Sequence, residues 1–177
     1  METWDIYDIN RQKTKETMTR GNKIENGNYH LVVSVCVFNS KNEILIQQRQ
    51  KDKIGWPGKW DITAAGSSTK GENSLQAARR ELHEEVGIEG NFKNKRPILS
   101  VNFSRGFQDY YCITQEVDID SLTLQAEEVQ AVKWASRETI MKMIDSEEFI
   151  PYYKSLINTF FDMKDATGSH NRFKKIK

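Results

Sequence analysis

Short runs of apolar and β-branched residues alternate with polar segments along most of the chain. The runs YHLVVSVCVF and EILIQQR are separated by the polar cluster NSKN, and this pattern predicts a β-hairpin. The run DITAAG, which ends at Gly66, and the later runs PILSVNF, DYYCITQEVD and VQAVKWA predict further strands. Near the N-terminus, WDIYD predicts a short first strand, and the polar segment KTKETMTRGNKIENGN after it is predicted to be a loop.

Helical patterns are interspersed with these strands. Asn73 is a suitable N-cap with Gln76 three residues later, as in a capping box. Gly87 suits the left-handed position that follows a helix, so a helix is predicted over residues 74–86. The runs SRETIMKMID, capped by Ser136, and FIPYYKSLINTFFDM predict two more helices. The order of elements predicts an α/β protein in which a mixed sheet packs between helices.

The length and composition narrow the class of protein. A chain of 177 residues fits one main domain, which we expect over residues 29–164, between an N-terminal strand and loop (1–28) and a basic tail (165–177). With 29% charged residues and a net charge of +1, the chain has no general attraction to nucleic acid or membrane. The N-terminus lacks a signal-peptide pattern and LVVSVCVF is too short to span a bilayer, so we expect a cytoplasmic protein.

One predicted helix gathers three carboxylates beside its apolar stripe. At 100° per residue, Glu81, Glu84 and Glu85 fall on one side of this helix. Carboxylates at this spacing repel and raise one another's pKa, so a nearby positive charge is expected to offset their repulsion. Mg²⁺ and Mn²⁺ prefer carboxylate oxygens, which makes a metal site the functional interpretation. The alternative, which a lone ExxEE would favour, is an ordinary solvated helix face.

The residues around the cluster favour the metal site. The chain matches every defined position of the pattern G-x5-E-x7-R-E-U-x-E-E-x-G-U, with U aliphatic, through Gly66, Glu72, Arg80, Glu81, Leu82, Glu84, Glu85, Gly87 and Ile88. In this respect the sequence resembles the Nudix hydrolases, over residues 29–148. The resemblance implies the Nudix fold, an α/β/α sandwich. It also implies Mg²⁺- or Mn²⁺-dependent hydrolysis of a small-molecule diphosphate, often a nucleoside diphosphate derivative, by attack of water on phosphorus.

The same resemblance implies roles for individual acids. Glu81, Glu84 and Glu85 would bind the metal, and Glu81 and Glu84 would be catalytic, although which glutamate activates the water stays open. A further acid often comes from outside the motif in this family. Glu127 and Glu128 precede a predicted strand, and Glu128 is included in the expected metal set while the choice between the two stays open.

The other matched residues would support these acids. The resemblance implies that Arg80 orients the glutamates through charge-assisted hydrogen bonds and belongs to the catalytic group. Gly66 would keep its loop close to the helix, and Glu72 would fix that loop. Gly87 would be structural as well, at the end of the helix.

A basic loop precedes the motif and offers groups for the substrate. Arg49, Lys51 and Lys59 flank this loop and are the candidate ligands of phosphate oxygens. The alternative is a solvated basic loop without a ligand. The expected partner is a small-molecule diphosphate, and the oligomeric state, a homodimer included, is left open by the sequence.

The segment RQKDKIGWPGKWDITAAG is also similar to that of type 1 isopentenyl diphosphate isomerases, a branch of the same fold. That branch carries a cysteine just before the motif glycine and a histidine just after it, whereas this chain has Ala65 and Ser67. Further histidines bind metal in that branch, and the nearby histidine that could match is His30, which is expected to be structural. Neither Cys36 nor Cys112 is near the motif in sequence, and each is expected to be a buried thiol in a strand. Hydrolysis is therefore the predicted activity. An isomerase-like enzyme and a catalytically silent nucleotide-binding module are the alternatives.

Overall fold

The structure, a computed structural model, describes residues 2–166 and 168–170. In this part of the chain the strands are β1 (Thr3–Tyr7), β2 (Lys13–Thr19), β3 (His30–Phe38), β4 (Ile44–Arg49), β5 (Trp60–Asp61), β6 (Ala64–Ser67), β7 (Leu99–Phe103), β8 (Gly106–Thr114) and β9 (Val129–Ala135). The helices are α1 (Ser74–Val86), α2 (Arg137–Asp145) and α3 (Lys154–Met163). No helix in the described residues is long and apolar enough to cross a membrane.

Seven strands form one mixed sheet. Its main path is β5-β4-β3-β8-β7, in which β3 and β8 run parallel and the other neighbours are antiparallel. The predicted hairpin is formed by β3 and β4, but the two strands pair only at Phe38 and Ile44 before they diverge. Strand β6 then pairs with β3, and β9 pairs with β4. The sheet is consequently split between β4 and β6.

Thr63 bridges this split from the short connection between β5 and β6. Its hydroxyl accepts a hydrogen bond from the Val37 amide at 2.9 Å and donates one to the Leu45 carbonyl at 2.5 Å. The strand predicted over DITAAG is therefore divided into β5 and β6, which pair with different neighbours. Strand β6 pairs with β3 along one edge, and at the other edge its Ala65 amide contacts Glu85 of helix α1.

The two faces of the sheet are covered by different helices, as the α/β/α prediction requires. Along β3, Val33, Val35 and Val37 contact the cluster that contains α1, whereas Cys36 and Phe38 contact the cluster that contains α2 and α3. This alternation follows from the two-residue period of a strand. The predicted fold class is thus confirmed.

Helix α1 has the ends that its sequence predicts. The Asn73 side chain accepts from the Gln76 amide at 3.0 Å, and the Gln76 side chain accepts from the Asn73 amide at 2.9 Å. Gly87 has a φ of 72° and its amide donates to the His83 carbonyl at 2.8 Å. These contacts satisfy backbone groups that the ends of a helix otherwise leave without partners.

The N-terminal segment differs from the prediction, because the expected loop contains β2. Strands β1 and β2 form a separate two-stranded antiparallel sheet, here called the N-terminal hairpin. The segment KTKETMT is mostly exposed and polar on both faces, so it lacks the apolar alternation that reveals a strand. Helix α3 also begins later than predicted, at Lys154, after FIPYY. Residues 167 and 171–177 of the predicted basic tail lie outside the described residues.

Candidate active site

Helix α1 places the three glutamates at different depths. Leu82 and Val86 are fully buried against the sheet, and this fixes the rotation of the helix. Glu81 and Glu85 lie at the edge of the packed face and are only 9% and 5% exposed. The side chain of Glu84 is 48% exposed. The sequence predicted three acids on one side of the helix, and the structure brings two of them inside the protein.

Arg80 makes ion pairs with three carboxylates at once. Its Nε and Nη2 donate to the two oxygens of Glu72 at 2.8 and 3.0 Å. Its Nη1 donates to Glu81 and Glu84 at 2.8 and 2.9 Å, and Nη2 also donates to the Ser67 carbonyl at 2.9 Å. Although burial opposes the charge, these partners raise the pKa of the guanidinium further. Every nitrogen of Arg80 is therefore engaged in holding the motif together.

Gly66 allows the Glu81 carboxylate to pack directly on the backbone of β6. A Cβ atom at this position would lie 2.1 Å from Cδ of Glu81 and within 2.3 Å of both carboxylate oxygens. Any larger residue would displace the acid. Glu72 fixes the intervening loop, because it accepts from the Thr69 amide at 2.8 Å while it binds Arg80.

The carboxylate of Glu85 lies at the split in the sheet. Its Oε2 accepts from Gln47 Nε2 on β4 at 2.7 Å and from the Ala65 amide on β6 at 3.2 Å. The other oxygen, Oε1, is left for a further ligand. Gln47 was not predicted from the sequence, although the two-residue period of β4 places it on the same face as the buried Leu45.

Burial makes it costly to ionise the two inner acids. It raises the pKa of Glu85 to about 8, with a contribution from Glu81, and it raises the pKa of Glu81 to about 7 despite the ion pair with Arg80. Carboxylates in such surroundings are stabilised by an added positive charge. This is the electrostatic environment that suits a bound cation.

These acids line a pocket of about 230 Å³, here called the glutamate pocket. Its lining residues are Glu2, Arg20, Ala65, Gly66, Ser67, Arg80, Glu81, Glu84, Glu85, Gln125 and Glu128. Glu128 is thus brought to the pocket, where it pairs with Lys53, whereas Glu127 is exposed outside it. Glu2, Arg20 and Gln125 were not predicted, because each comes from a segment remote from the motif in sequence.

The donor set of the glutamate pocket fits a hard divalent cation. Carboxylate oxygens from Glu81, Glu84, Glu85 and Glu128 are the ligands that Mg²⁺ and Mn²⁺ prefer. In the described residues, however, no three acidic, histidine or cysteine side chains stand close enough to hold one ion as they are placed. In this arrangement Arg80 binds Glu81 and Glu84, and Lys53 pairs with Glu128. An ion would take over these contacts.

The three predicted phosphate ligands lie outside the lining of this pocket. Arg49 donates from Nε to the Gly55 carbonyl at 2.9 Å, and its Nη1 lies 3.9 Å from the Asp61 carboxylate. Lys59 donates to the carbonyl of Glu147, and Lys51 is exposed. Arg49 and Lys59 thus make hydrogen bonds within the protein. Contact of all three residues with a substrate stays a prediction.

The positions that matter for isomerase chemistry have structural roles here. Ala65 presents only its backbone amide to Glu85. Cys36 and Cys112 lie in the cluster on the α2 and α3 side, so the sheet separates them from the glutamate pocket. His30 is buried and stacks on Trp4, with ring centroids 4.5 Å apart.

Comparisons with known proteins identify the family. The NUDIX domain model matches residues 28–154. An uncharacterized Nudix hydrolase of Listeria innocua is 48% identical over 170 residues, 96% of this chain and 99% of that protein. An isopentenyl-diphosphate Delta-isomerase of Corynebacterium diphtheriae is 30% identical over 129 residues, 68% of this chain and 70% of that protein. The crystal structure of DR0079 from Deinococcus radiodurans shares the fold, with a TM-score of 0.72 and 19% identity over 89% of this chain and 98% of that chain. The chain belongs to the Nudix family and is a Nudix-type hydrolase.

Proposed function

We propose that this hydrolase cleaves a diphosphate linkage in a small molecule, such as a nucleoside diphosphate derivative, by attack of water on phosphorus with Mg²⁺ or Mn²⁺. The observation that carries the proposal is the charge of the glutamate pocket. Five carboxylates and two guanidinium groups line it, and the two most buried acids have raised pKa values. A divalent cation would favour the ionised form of these acids and would attract the anionic diphosphate.

Glu81, Glu84, Glu85 and Glu128 are the proposed metal ligands. A bound divalent ion would neutralise charge on the phosphates and make a coordinated water a stronger nucleophile. Gln47 and the Ala65 amide hold one oxygen of Glu85, which directs the other oxygen into the pocket. Lys53 pairs with Glu128 in the free protein, and a bound ion would replace it there.

Arg80 is proposed to position two of the motif acids, and one of these acids is proposed to be the general base. Arg80 keeps Glu81 and Glu84 side by side through a single nitrogen, Nη1. Glu81 and Glu84 are the proposed candidates for the general base that accepts the proton of the attacking water. Arg49, Lys51 and Lys59 are proposed to contact the substrate beyond the glutamate pocket, where Arg49 and Lys59 would exchange their present carbonyl partners for substrate oxygens.

The proposal is tested with a panel of nucleoside diphosphates, nucleotide sugars, dinucleotides and prenyl diphosphates. We expect phosphate or nucleotide release that excess chelator abolishes and Mg²⁺ or Mn²⁺ restores. Glu84→Gln should lower kcat about 100-fold or more, the range expected for loss of an acid that moves a proton. Glu89→Gln is the matched control, because Glu89 follows the same helix but is exposed and pairs with His83 outside the pocket. Turnover that persists undiminished in chelator would contradict the proposal.

The same panel distinguishes the alternative activities. An isomerase would convert isopentenyl diphosphate into its allylic isomer without releasing phosphate, and a silent module would bind nucleotides without turnover. The placement of Ala65, Cys36 and Cys112 provides no thiol in the glutamate pocket for the isomerisation. We therefore expect hydrolysis and no allylic product.

A further inference from the structure

The N-terminal hairpin is docked on the loop that connects β6 to helix α1. The Lys70 amide donates to the Thr3 carbonyl at 2.8 Å, and the Gly71 amide donates to the Asp5 carboxylate at 2.8 Å. Lys13 bridges the two segments, because its Nζ donates to Asp5 and to the Glu72 carbonyl, both at 2.7 Å. These bonds tie the hairpin to the loop that carries Glu72, the partner of Arg80.

This docking sets the open end of the hairpin over the glutamate pocket. Thr3 pairs with Thr19, and the Arg20 amide donates to the Glu2 carbonyl at 2.9 Å, so the two chain segments leave the hairpin side by side. Both Glu2 and Arg20 line the pocket. Trp4 stacks on His30 of β3 and holds the same end of the hairpin against the main sheet.

The two guanidinium groups in the pocket differ in how many donors they have left. Arg80 uses all three nitrogens on carboxylates and a carbonyl, and its side chain is 24% exposed. Arg20 donates to the Glu2 carboxylate through Nη1 at 2.7 Å, and its side chain is 60% exposed. No other side-chain partner of Arg20 is present among the described residues. Arg20 therefore keeps donors without a protein partner among the described residues, on an exposed side chain that lines a pocket with five carboxylates.

We propose that Arg20 binds a phosphate oxygen of the substrate at the mouth of the glutamate pocket, and that Glu2 holds its guanidinium there in the free protein. This assignment rests on the proposed function, because it deepens the description of the same site. A planar guanidinium forms two parallel hydrogen bonds to phosphate as readily as to carboxylate. The substrate phosphate thus competes with Glu2 for the same group, which gives the two residues opposite effects on substrate affinity.

The test compares Arg20→Ala, Arg20→Lys and Glu2→Gln with Lys15→Ala. Lys15 is the matched control, since it is an exposed cation on β2 of the same hairpin and does not line the pocket. Three measurements are made for each variant: steady-state kinetics (kcat and KM) for the best substrate of the panel, the dissociation constant of imidodiphosphate with Mg²⁺ by calorimetry, and the affinity for Mn²⁺ without substrate. The second measurement needs no turnover, so it tests Arg20 even where the proposed hydrolysis fails.

We expect Arg20→Ala to raise KM and the imidodiphosphate dissociation constant about 10-fold to 100-fold, with kcat changed less than about threefold, because a charge-assisted hydrogen bond has that effect on affinity. Arg20→Lys should restore part of the affinity, and Glu2→Gln should tighten binding. Mn²⁺ affinity without substrate should be kept or increased in Arg20→Ala, since a cation is removed from beside the acids. Imidodiphosphate affinity equal to that of Lys15→Ala, or a parallel loss of Mn²⁺ binding, would overturn the assignment.

Discussion

The two faces of the seven-stranded sheet bury different kinds of side chain. On the α2 and α3 side the core is formed by apolar residues such as Phe38, Ile46 and Phe160. The buried carboxyl on that side, Asp61, accepts hydrogen bonds from the Tyr152 hydroxyl at 2.8 Å and the Ile62 amide at 2.7 Å. Burial raises the pKa of Asp61. On the α1 side two carboxyls, Glu81 and Glu85, are buried together, and burial and neighbouring acids raise their pKa values to about 7 and about 8.

This difference indicates that the α2 and α3 face mainly stabilises the fold, whereas the α1 face carries the candidate active site. Apolar burial contributes stability in proportion to the area removed from water, whereas a buried, incompletely compensated carboxylate costs stability. The buried acids of the α1 face therefore lower the stability of the fold, and the rest of the protein offsets this cost. Such a pattern is common at functional sites. Substitutions on the two faces should consequently affect different measurements.

The largest effect on stability is expected on the α2 and α3 face. Phe160 is fully buried and its ring lies 5.0 Å from that of Tyr110. Phe160→Ala should lower the free energy of unfolding by about 3 to 5 kcal/mol, because the cavity cannot be refilled completely. Phe103→Ala is the matched control, since Phe103 is 37% exposed. Denaturant unfolding measures the change. A loss of turnover in the variant while it is still folded would contradict the expectation that this face affects stability and not activity.

On the α1 face, removing a charge should stabilise the metal-free protein. Burial raises the pKa of Glu85 from its ordinary value of 4.5 to about 8, so the folded state favours the protonated acid. The stability that this acid contributes is complete below pH 4.5 and is lost as the pH rises toward 8. In chelator, Glu85→Gln should therefore be more stable than the native protein at pH 8, by at most about 4 kcal/mol, and nearly equal to it at pH 4.5.

The same substitution should abolish metal-dependent hydrolysis, since Glu85 is a proposed ligand. Glu89→Gln, an exposed acid beyond the helix, should change neither stability nor turnover. Thermal unfolding at several pH values with chelator present provides the measurement. A native protein whose stability in chelator rises steadily from pH 5 to pH 8 because of Glu85 would contradict the expected sign.

The residues of helix α1 were predictable because their signals are local. Asn73, Gln76 and Gly87 determine the ends of the helix through contacts within four residues, and the spacing of the acids follows from 3.6 residues per turn. The α/β/α class was predictable for the same reason, since strand alternation and helical periodicity are properties of short segments.

The contacts that complete the glutamate pocket were not predictable in this way. Glu2 and Arg20 reach it only because a polar hairpin docks on the loop before α1, and Gln47 reaches Glu85 only because β3 and β4 diverge. No periodicity in β2 indicates such docking, since its side chains are polar on both faces. The depth of Glu85 likewise depends on packing between segments that are 38 residues apart.

A smaller effect is expected at Gln47, which touches Glu85 without being a proposed ligand. Its Oε1 is buried without a hydrogen-bond partner among the described residues, while its Nε2 holds Glu85. Gln47→Leu should change the free energy of unfolding by less than about 1 kcal/mol, because removal of the unsatisfied Oε1 offsets loss of the hydrogen bond to Glu85. It should weaken Mn²⁺ binding about tenfold, as loss of a group that orients a metal ligand does.

Gln48→Leu provides the control for this substitution. Gln48 is the next residue of β4, but it donates to the Gly58 carbonyl at 3.0 Å and does not contact Glu85. Mn²⁺ titration followed by electron paramagnetic resonance should show weaker binding for the Gln47 variant alone. Equal Mn²⁺ affinity in both variants would show that Glu85 needs no support from β4.

The smallest effect on turnover is expected at the two cysteines, although they lie in the centre of the sheet. Cys36 and Cys112 are directly opposite one another on the parallel strands β3 and β8, and both side chains are buried on the α2 and α3 side. Burial raises the pKa of the Cys36 thiol, which disfavours its reactive thiolate form. Replacing each by Ala should cost about 1 kcal/mol of stability and leave kcat unchanged, because neither touches the glutamate pocket.

The native protein and the double variant are compared for diphosphate hydrolysis and for conversion of isopentenyl diphosphate, followed by NMR. Formation of dimethylallyl diphosphate that depends on either cysteine would mean that the sheet does not separate the thiols from the chemistry, and it would restore the isomerase interpretation.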